Sequence, residues 1–278
     1  MCWPLVAGAR VPAIPQGRLL VVSPHLDDAA LSCAALLERT EPVDVVTVFA
    51  GSPEPPMRGR WDEITGFASS GEAMLTRLRE DEQAFAGSPH TVTTLPLVEL
   101  QYVDGERQTS DARSIETVVE QWLSRGAGSV ALPVGAGFVP NFFWRRLRHL
   151  RSTSPRIPRL ARLSHPRTTS GDTFDQHPDH VFVRDAVLRR FGRRHDVSMI
   201  LYEELPYLWS GPSDARARKA ARKVGRKAVE FREKIDRRAK AERIRNYASQ
   251  TGHLTVPGRR LDDPTVLPPH ERYWLLVP

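Results

Sequence analysis

Two short stretches of this chain carry residue types that can hold a metal ion and move a proton: Ser23-Pro24-His25-Leu26-Asp27-Asp28 and, far downstream, His177-Pro178-Asp179-His180. His25 and Asp28 are three apart, so in a turn entering a helix both can face one ion, while Asp27 falls to another side and stays available as a base. His177 and His180 have the same spacing, which places them one turn apart on one face if a helix starts there, and Pro178 suits a first helical turn. Each stretch alone has a plainer reading. Asp27-Asp28 ahead of a helix is also a good N-terminal cap, and a histidine pair at a helix start is often only capped or solvated. Together they offer a zinc ion two imidazoles and a carboxylate, with one carboxylate and one imidazole to spare.

The elements around these stretches must bring them to one place. The apolar run 19–22 predicts a strand over 18–23, and a helix follows over 28–38, so the first stretch sits where a strand ends. A second apolar run, 43–49, ends in the turn Ala50-Gly51-Ser52-Pro53 at the same edge of a parallel sheet, where the ligand crevices of doubly wound sheets lie. Residues 52–70, with Pro53, Pro55, Pro56 and Trp61, read as a mobile loop over the site. Further helices are expected over 71–86, 114–124 and 181–191, and further strands over 92–97, 130–134 and 197–201. This alternation implies an α/β fold, a Rossmann-like and mostly parallel sheet with right-handed crossovers and flanking helices. The chain reads as one domain: a core over about 18–210, an insertion over about 138–171 and a C-terminal helical extension over about 211–278. Residues 1–17 are a proline-rich lead-in.

Composition sets outer bounds. At 278 residues, 40% hydrophobic and 26% charged, the chain buries a full core and is no small stapled scaffold. Its two cysteines, Cys2 and Cys33, form no metal-type pair, and Cys33 reads as a buried reduced thiol, which suits a cytoplasmic protein. No export signal is visible, and no stretch approaches the roughly 18 apolar residues that a membrane span needs. The net charge of +7 is local: all five lysines fall between Lys219 and Lys240. Segment 138–171 carries eight arginines and no acid, interleaved with Phe142, Phe143, Trp144, Leu147 and Leu150. It reads as a basic amphipathic helix over 141–151 plus loop, serving either as a packed flap or as a lid for an anionic substrate, a carrier or a membrane surface. In 214–245 the spacing of Val224, Ala228, Phe231 and Ile235 predicts a basic helix packed by one stripe.

The two stretches resemble the signatures of the PIG-L/LmbE-like zinc-dependent de-N-acetylases: a strand-end His-Pro-Asp-Asp and a later His-Pro-Asp-His. Arg77-x-x-Glu80 is similar to that family's Arg-x-x-Glu helix; the plain alternative is an exposed ion pair between the two. Tyr202-Glu203-Glu204-Leu205-Pro206-Tyr207, Tyr247-Ala248-Ser249-Gln250 and Glu271-Arg272-Tyr273-Trp274 resemble further markers of a bacterial branch. The family's Pro and trailing Glu of the first signature are Leu26 and Ala29 here, so a carboxylate behind the metal ligands is missing. Asp175 stands where some relatives have a tyrosine.

The resemblance implies a zinc ion on His25, Asp28 and His180, with Asp27 as general base. His177, helped by Asp179 and in either its neutral or its protonated form, would be the donor to the oxyanion, and Arg77 and Glu203 would bind substrate. The implied reaction removes an acetyl group from an N-acetylated amino sugar or glycoconjugate. The alternatives are an amidase for a thiol-conjugate pseudodisaccharide or a natural-product intermediate, and a non-enzymatic nucleic-acid-binding protein suggested by the basic segments. That last reading lacks a reader motif and leaves the His/Asp constellation without a role, so no nucleic-acid partner is expected.

Overall fold

The computed structural model describes residues 13–137, 176–209, 211, 213–254, 256 and 258–278. The arginine-rich segment expected as a lid or flap, its helix over 141–151, Asp175 and the first twelve residues lie outside them. The chain enters through β1 (Leu19–Ser23), α1 (Asp28–Ser32), α2 (Ala34–Leu37) and β2 (Asp44–Thr47), then α3 (Arg60–Thr65), α4 (Ser70–Phe85) and β3 (Thr91–Thr94). It continues with α5 (Thr109–Leu123), β4 (Gly128–Pro133), α6 (Pro178–Phe191) and β5 (Val197–Tyr202), and closes with α7 (Asp214–Lys223), β6 (Lys227–Lys234), α8 (Arg237–Ile244), α9 (Ala248–Thr251) and β7 (His270–Val277).

The strands form one sheet in the order β3-β2-β1-β4-β5-β7-β6. Its first five strands are mutually parallel, while β7 runs antiparallel to both β5 and β6. Both faces are covered, which explains the unbroken apolar run of β1. Leu20 and Val22 face a core built with α5, α6 and α7, whereas Leu19 and Val21 face one built with α1, α2 and α4. The chain winds outward from β1 to β3 and returns to β4 on the other side of β1. Strand order thus reverses between β1 and β4, and in open α/β sheets that reversal opens a crevice at the strands' C-terminal ends.

Three elements differ from the sequence expectation. The helix expected over 28–38 is broken at Cys33, because the buried Glu271 carboxylate accepts hydrogen bonds from the Ala34 and Ala35 amides at 3.0 and 2.9 Å and so starts a second helix there. The loop expected over 52–70 contains α3, held by Asp62, which accepts from the Gly59 amide and the Tyr102 hydroxyl, both at 2.7 Å. The basic helix expected over 214–245 is a helix, a strand and a helix. Gly225, at φ +72°, ends α7, and β6 then pairs with β7 over eight residue pairs. Asp236 starts α8 by accepting from the Arg238 and Ala239 amides. The apolar stripe is real as burial, with Phe231 stacked on Tyr273 at 5.4 Å, but sheet pairing overrides its helical spacing. The C-terminal part therefore completes the sheet.

Candidate metal centre and cavity

The first signature leaves β1 at the point of strand reversal. Ser23 shapes the turn: its hydroxyl donates to the His25 carbonyl at 2.7 Å and accepts from the Ala29 amide at 3.0 Å. Asp27 occupies the cap position of α1 but its side chain makes no capping hydrogen bond, and His177, at the cap position of α6, makes none either. The plain capping reading of both stretches is therefore absent, and the side chains are directed elsewhere. The two are brought together by the end of β4. Gly135 and Ala136 follow the end of that strand, the His177 amide donates to the Ala136 carbonyl at 3.2 Å, and a Cβ on Gly137 would lie 2.6 Å from the backbone of Gln176 and His177.

Three donor atoms close a triangle. Asp28 Oδ2 lies 3.1 Å from His25 Nδ1 and 3.2 Å from His180 Nε2, and the two nitrogens are 3.3 Å apart. Ligands about 2.05 Å from a tetrahedral zinc are separated by about 3.3 Å, so this triangle is one face of such a coordination shell. His25, His177 and His180 also lie within 4.8 Å of one another as a group, which offers His177 in place of Asp28. The tighter separations favour Asp28.

Electrostatics lead to the same place. Burial disfavours charge on His25, but Asp179 and Asp28 outweigh it and raise the ring well above its ordinary value. Burial likewise opposes charge on His180, and Asp28 with Glu204 still raises it to about 9. Asp28, pushed up by burial, is pulled further down by His180 and His25 and ends well below the usual carboxylate range. Acidic groups thus favour positive charge on both rings, and a divalent cation held there would meet the same demand. Among the described residues the donor set, its spacing and its charge all fit a metal ion.

The other candidate residues separate clearly. Asp27 lines the same cavity, and burial together with the charge of Asp28 raises it to about 6, against the opposing pull of Arg77 and His25. Burial and repulsion from His180 and His25 lower His177 to about 3, which favours its neutral form, and its Nδ1 is buried with no hydrogen-bond partner among the described residues. The protonated form considered from sequence is thus disfavoured, since Asp179 and Asp28 attract a proton to the ring less than burial, His180 and His25 oppose it. Asp179 turns to His25 instead, at 3.2 Å from Nε2, and also accepts from the Leu100 amide and from Arg107. Arg77 lines the cavity, buried, in an ion pair with Glu99; the alternative pair with Glu80 does not form, because Glu80 accepts from the Ser249 amide and hydroxyl.

Glu203 does not line the cavity: it pairs with Arg272 of β7 at 3.1 Å. Its neighbour Glu204 is the residue at the site. Fully buried, it accepts from the Gly135 and Ala136 amides at 2.6 and 3.0 Å and meets His180 Nδ1 at 3.3 Å. The trailing carboxylate that Ala29 replaces is absent from the first stretch, but two other carboxylates stand behind the proposed ligands, Asp179 on His25 and Glu204 on His180. Two residues escaped the sequence reading. Tyr207, the last residue of the hexapeptide, lines the cavity with its ring 6.0 Å from His177 and 5.5 Å from His180. Arg107, in the loop before α5, carried no motif signal at all.

The cavity has a volume of about 850 Å³. Part of its wall is apolar: Leu31, Leu205 and Leu254 belong to one packed group, and Trp61 and Ile64 of α3 also line the cavity, with Trp61 Nε1 donating to Gln250 at 2.7 Å. Leu31 lies one helical turn beyond Asp27. No helix among the described residues is long and apolar enough to cross a membrane.

Comparison with known proteins gives a fold and no sequence relative. No protein-family profile and no curated protein matches the chain. Solved structures do. Teicoplanin deacetylase Orf2, in a zinc-inhibited form, aligns with a TM-score of 0.63 at 20% identity, covering 94% of this chain and 98% of that one. The A40926 pseudoaglycone deacetylase Dbv21 aligns at 0.62 and 22% identity, covering 94% and 97%. The chain has the fold of these deacetylases. That is the mixed α/β architecture which the resemblance implied, with its metal-type signatures at the edge where the two halves of the sheet diverge. The same fold also serves other chemistry: GalB, a 4-carboxy-2-hydroxymuconate hydratase of Pseudomonas putida, aligns at 0.51 and 11% identity, covering 95% and 97%. Function must be argued from the site.

Proposed function

We propose that this protein is a metal-dependent hydrolase, with zinc as the metal, that removes an acetyl or other acyl group from the nitrogen of an amino sugar or glycoconjugate. The observation that carries the reading is the closed triangle of His25, Asp28 and His180 with Asp27 beside it, off the triangle and in the same cavity. A zinc ion held there supplies Lewis acidity toward an amide carbonyl and makes a bound water acidic near neutral pH. Asp27, buried and shifted to about 6, suits a base that accepts a proton from water and returns it to the departing amine as the C–O bond forms and the C–N bond breaks. His177 presents a neutral imidazole N–H to the oxygen on which negative charge develops. Tyr207, whose hydroxyl is held protonated by burial and by Asp28 and Asp27, is a second donor on that side. Arg77, fixed by Glu99, orients the polar part of the substrate.

The apolar wall and the volume of about 850 Å³ leave far more room than an N-acetyl sugar fills, and this supports a glycoconjugate. The deacetylases of the same fold are named for teicoplanin and for the pseudoaglycone of the antimicrobial A40926, which favours a natural-product intermediate as the second reading within the same chemistry. The buried unpaired thiol of Cys33 suits a reducing, cytoplasmic setting. Preference for an anionic substrate belongs to the arginines of 138–171, outside the described residues.

Metal analysis and an acyl-release assay test the reading together. About one divalent ion per chain is expected, with release of acetate and free amine from N-acetylglucosaminyl conjugates that chelation abolishes and zinc restores. Because one protein of this fold is known in a zinc-inhibited form, zinc is titrated from below one equivalent. A chain that binds no metal, or releases no carboxylate from any amide in the panel, contradicts the proposal.

A further inference from the structure

We propose that Arg107 is a positioning residue for the metal ligand His25, acting through Asp179; this rests on the metal-dependent reading above. Arg107 does not line the cavity, so it touches neither substrate nor reacting atoms. It lies in the loop before α5, with a side chain only 5% exposed. Its guanidinium is fixed on every side. Nε donates to Asp179 Oδ1 at 3.1 Å, a terminal nitrogen donates to the same oxygen, and the other terminal nitrogen donates to the Val98 carbonyl at 2.9 Å and lies 3.6 Å from Asp111. Its flat face covers the ring of Phe49 at 3.9 Å, and Phe49 in turn packs 5.8 Å from the His25 ring.

The consequence falls on Asp179. With Oδ1 held by Arg107, Oδ2 is turned to the Leu100 amide and to His25 Nε2, each at 3.2 Å. An imidazole that donates from Nε2 to a carboxylate keeps its Nδ1 lone pair for the opposite side, where Asp28 Oδ2 and His180 Nε2 wait. Arg107 therefore sets which nitrogen of His25 faces the metal and fixes the plane of the ring. Lysine cannot replace it fully, because a point charge neither makes two contacts to one carboxylate oxygen nor lies flat on Phe49.

The test uses the full-length chain and two readouts that do not need turnover: zinc affinity by chelator competition, and the exchange rate of the His25 Nε2 proton with water by NMR. Arg107→Met is expected to weaken zinc binding about 10- to 100-fold, the range typical of residues behind a metal ligand, and to speed exchange of that proton at least tenfold. Arg107→Lys should recover part of both. Adding Arg107→Met to Asp179→Asn should change neither further, since the arginine acts through that carboxylate. Unchanged affinity and exchange with only a lower Tm, or additive losses in the double variant, overturns the proposal. A chain that binds no zinc sinks the metal-dependent reading, while the exchange rate still decides whether Arg107 anchors His25.

Discussion

Among the described residues, two groups of buried charge are finished differently. Beside β7, Glu271 accepts from the Ala34 and Ala35 amides, from the Lys240 ammonium at 2.6 Å and from the Tyr273 hydroxyl, so each of its oxygens is engaged and its charge is balanced. Around the ends of β1 and β4, by contrast, His177 Nδ1, Arg77 Nε and Glu204 Oε2 are buried with no hydrogen-bond partner among the described residues, and Asp28 is shared between two imidazoles. A buried polar group left unpaired costs about 1–3 kcal/mol. The first group is closed and joins β7 and α8 to α2. The second, on the function proposed above, uses its bonding capacity for a metal ion and a substrate.

Removing a member of each group should separate the two roles. The largest effect on function is expected from His180→Ala, which opens the triangle: metal content should fall to background and acyl release with it, while the chain still folds. Retention of metal and activity would show that His25, Asp28 and His177 suffice. Asp27→Asn should keep the metal and lower kcat by a factor on the order of 10² or more, as for loss of a general base; loss of metal with an intact rate per bound ion would make Asp27 a ligand.

Lys240→Met should act in the opposite sense. Leaving Glu271 buried and unbalanced should cost about 3–5 kcal/mol of stability, read as a lower denaturation midpoint, with metal content per folded molecule unchanged. A loss of metal affinity at unchanged stability would erase the distinction between the two groups. The smallest effect concerns Asp81, which accepts from the Tyr247 hydroxyl at 2.6 Å behind the site. Burial raises it to about 7 from an ordinary 3.8. The folded chain then holds a proton that the unfolded chain has released, so stability should decline as pH rises from about 4 through about 7. Asp81→Asn should flatten that decline: little difference from the parent at pH 5, and a Tm higher by a few degrees, roughly, at pH 8. Parallel pH profiles of the two proteins would mean that Asp81 is ionised throughout.

The sequence by itself determined the parallel half of the sheet and the residue types of the site. Strands buried on both faces are legible as apolar runs, and a strand ending at His-x-Asp-Asp announces its own position. Likewise, the spacing of His25 to Asp28 and of His177 to His180 is local, and short helical geometry converts it directly into shared faces. Only the tertiary structure decided the rest. Residues 227–234 are a strand because β7 pairs with them, a contact made across a long stretch of chain that no local periodicity reports. Glu204 rather than Glu203 reaches His180 because successive residues leaving β5 point to opposite sides. Arg107 and Asp179, 72 residues apart, meet only because α5 and α6 dock side by side on one face of the sheet. A metal centre's ligands can be spelled in short motifs, but the groups that orient those ligands come from wherever the fold has a side chain of the right charge within reach.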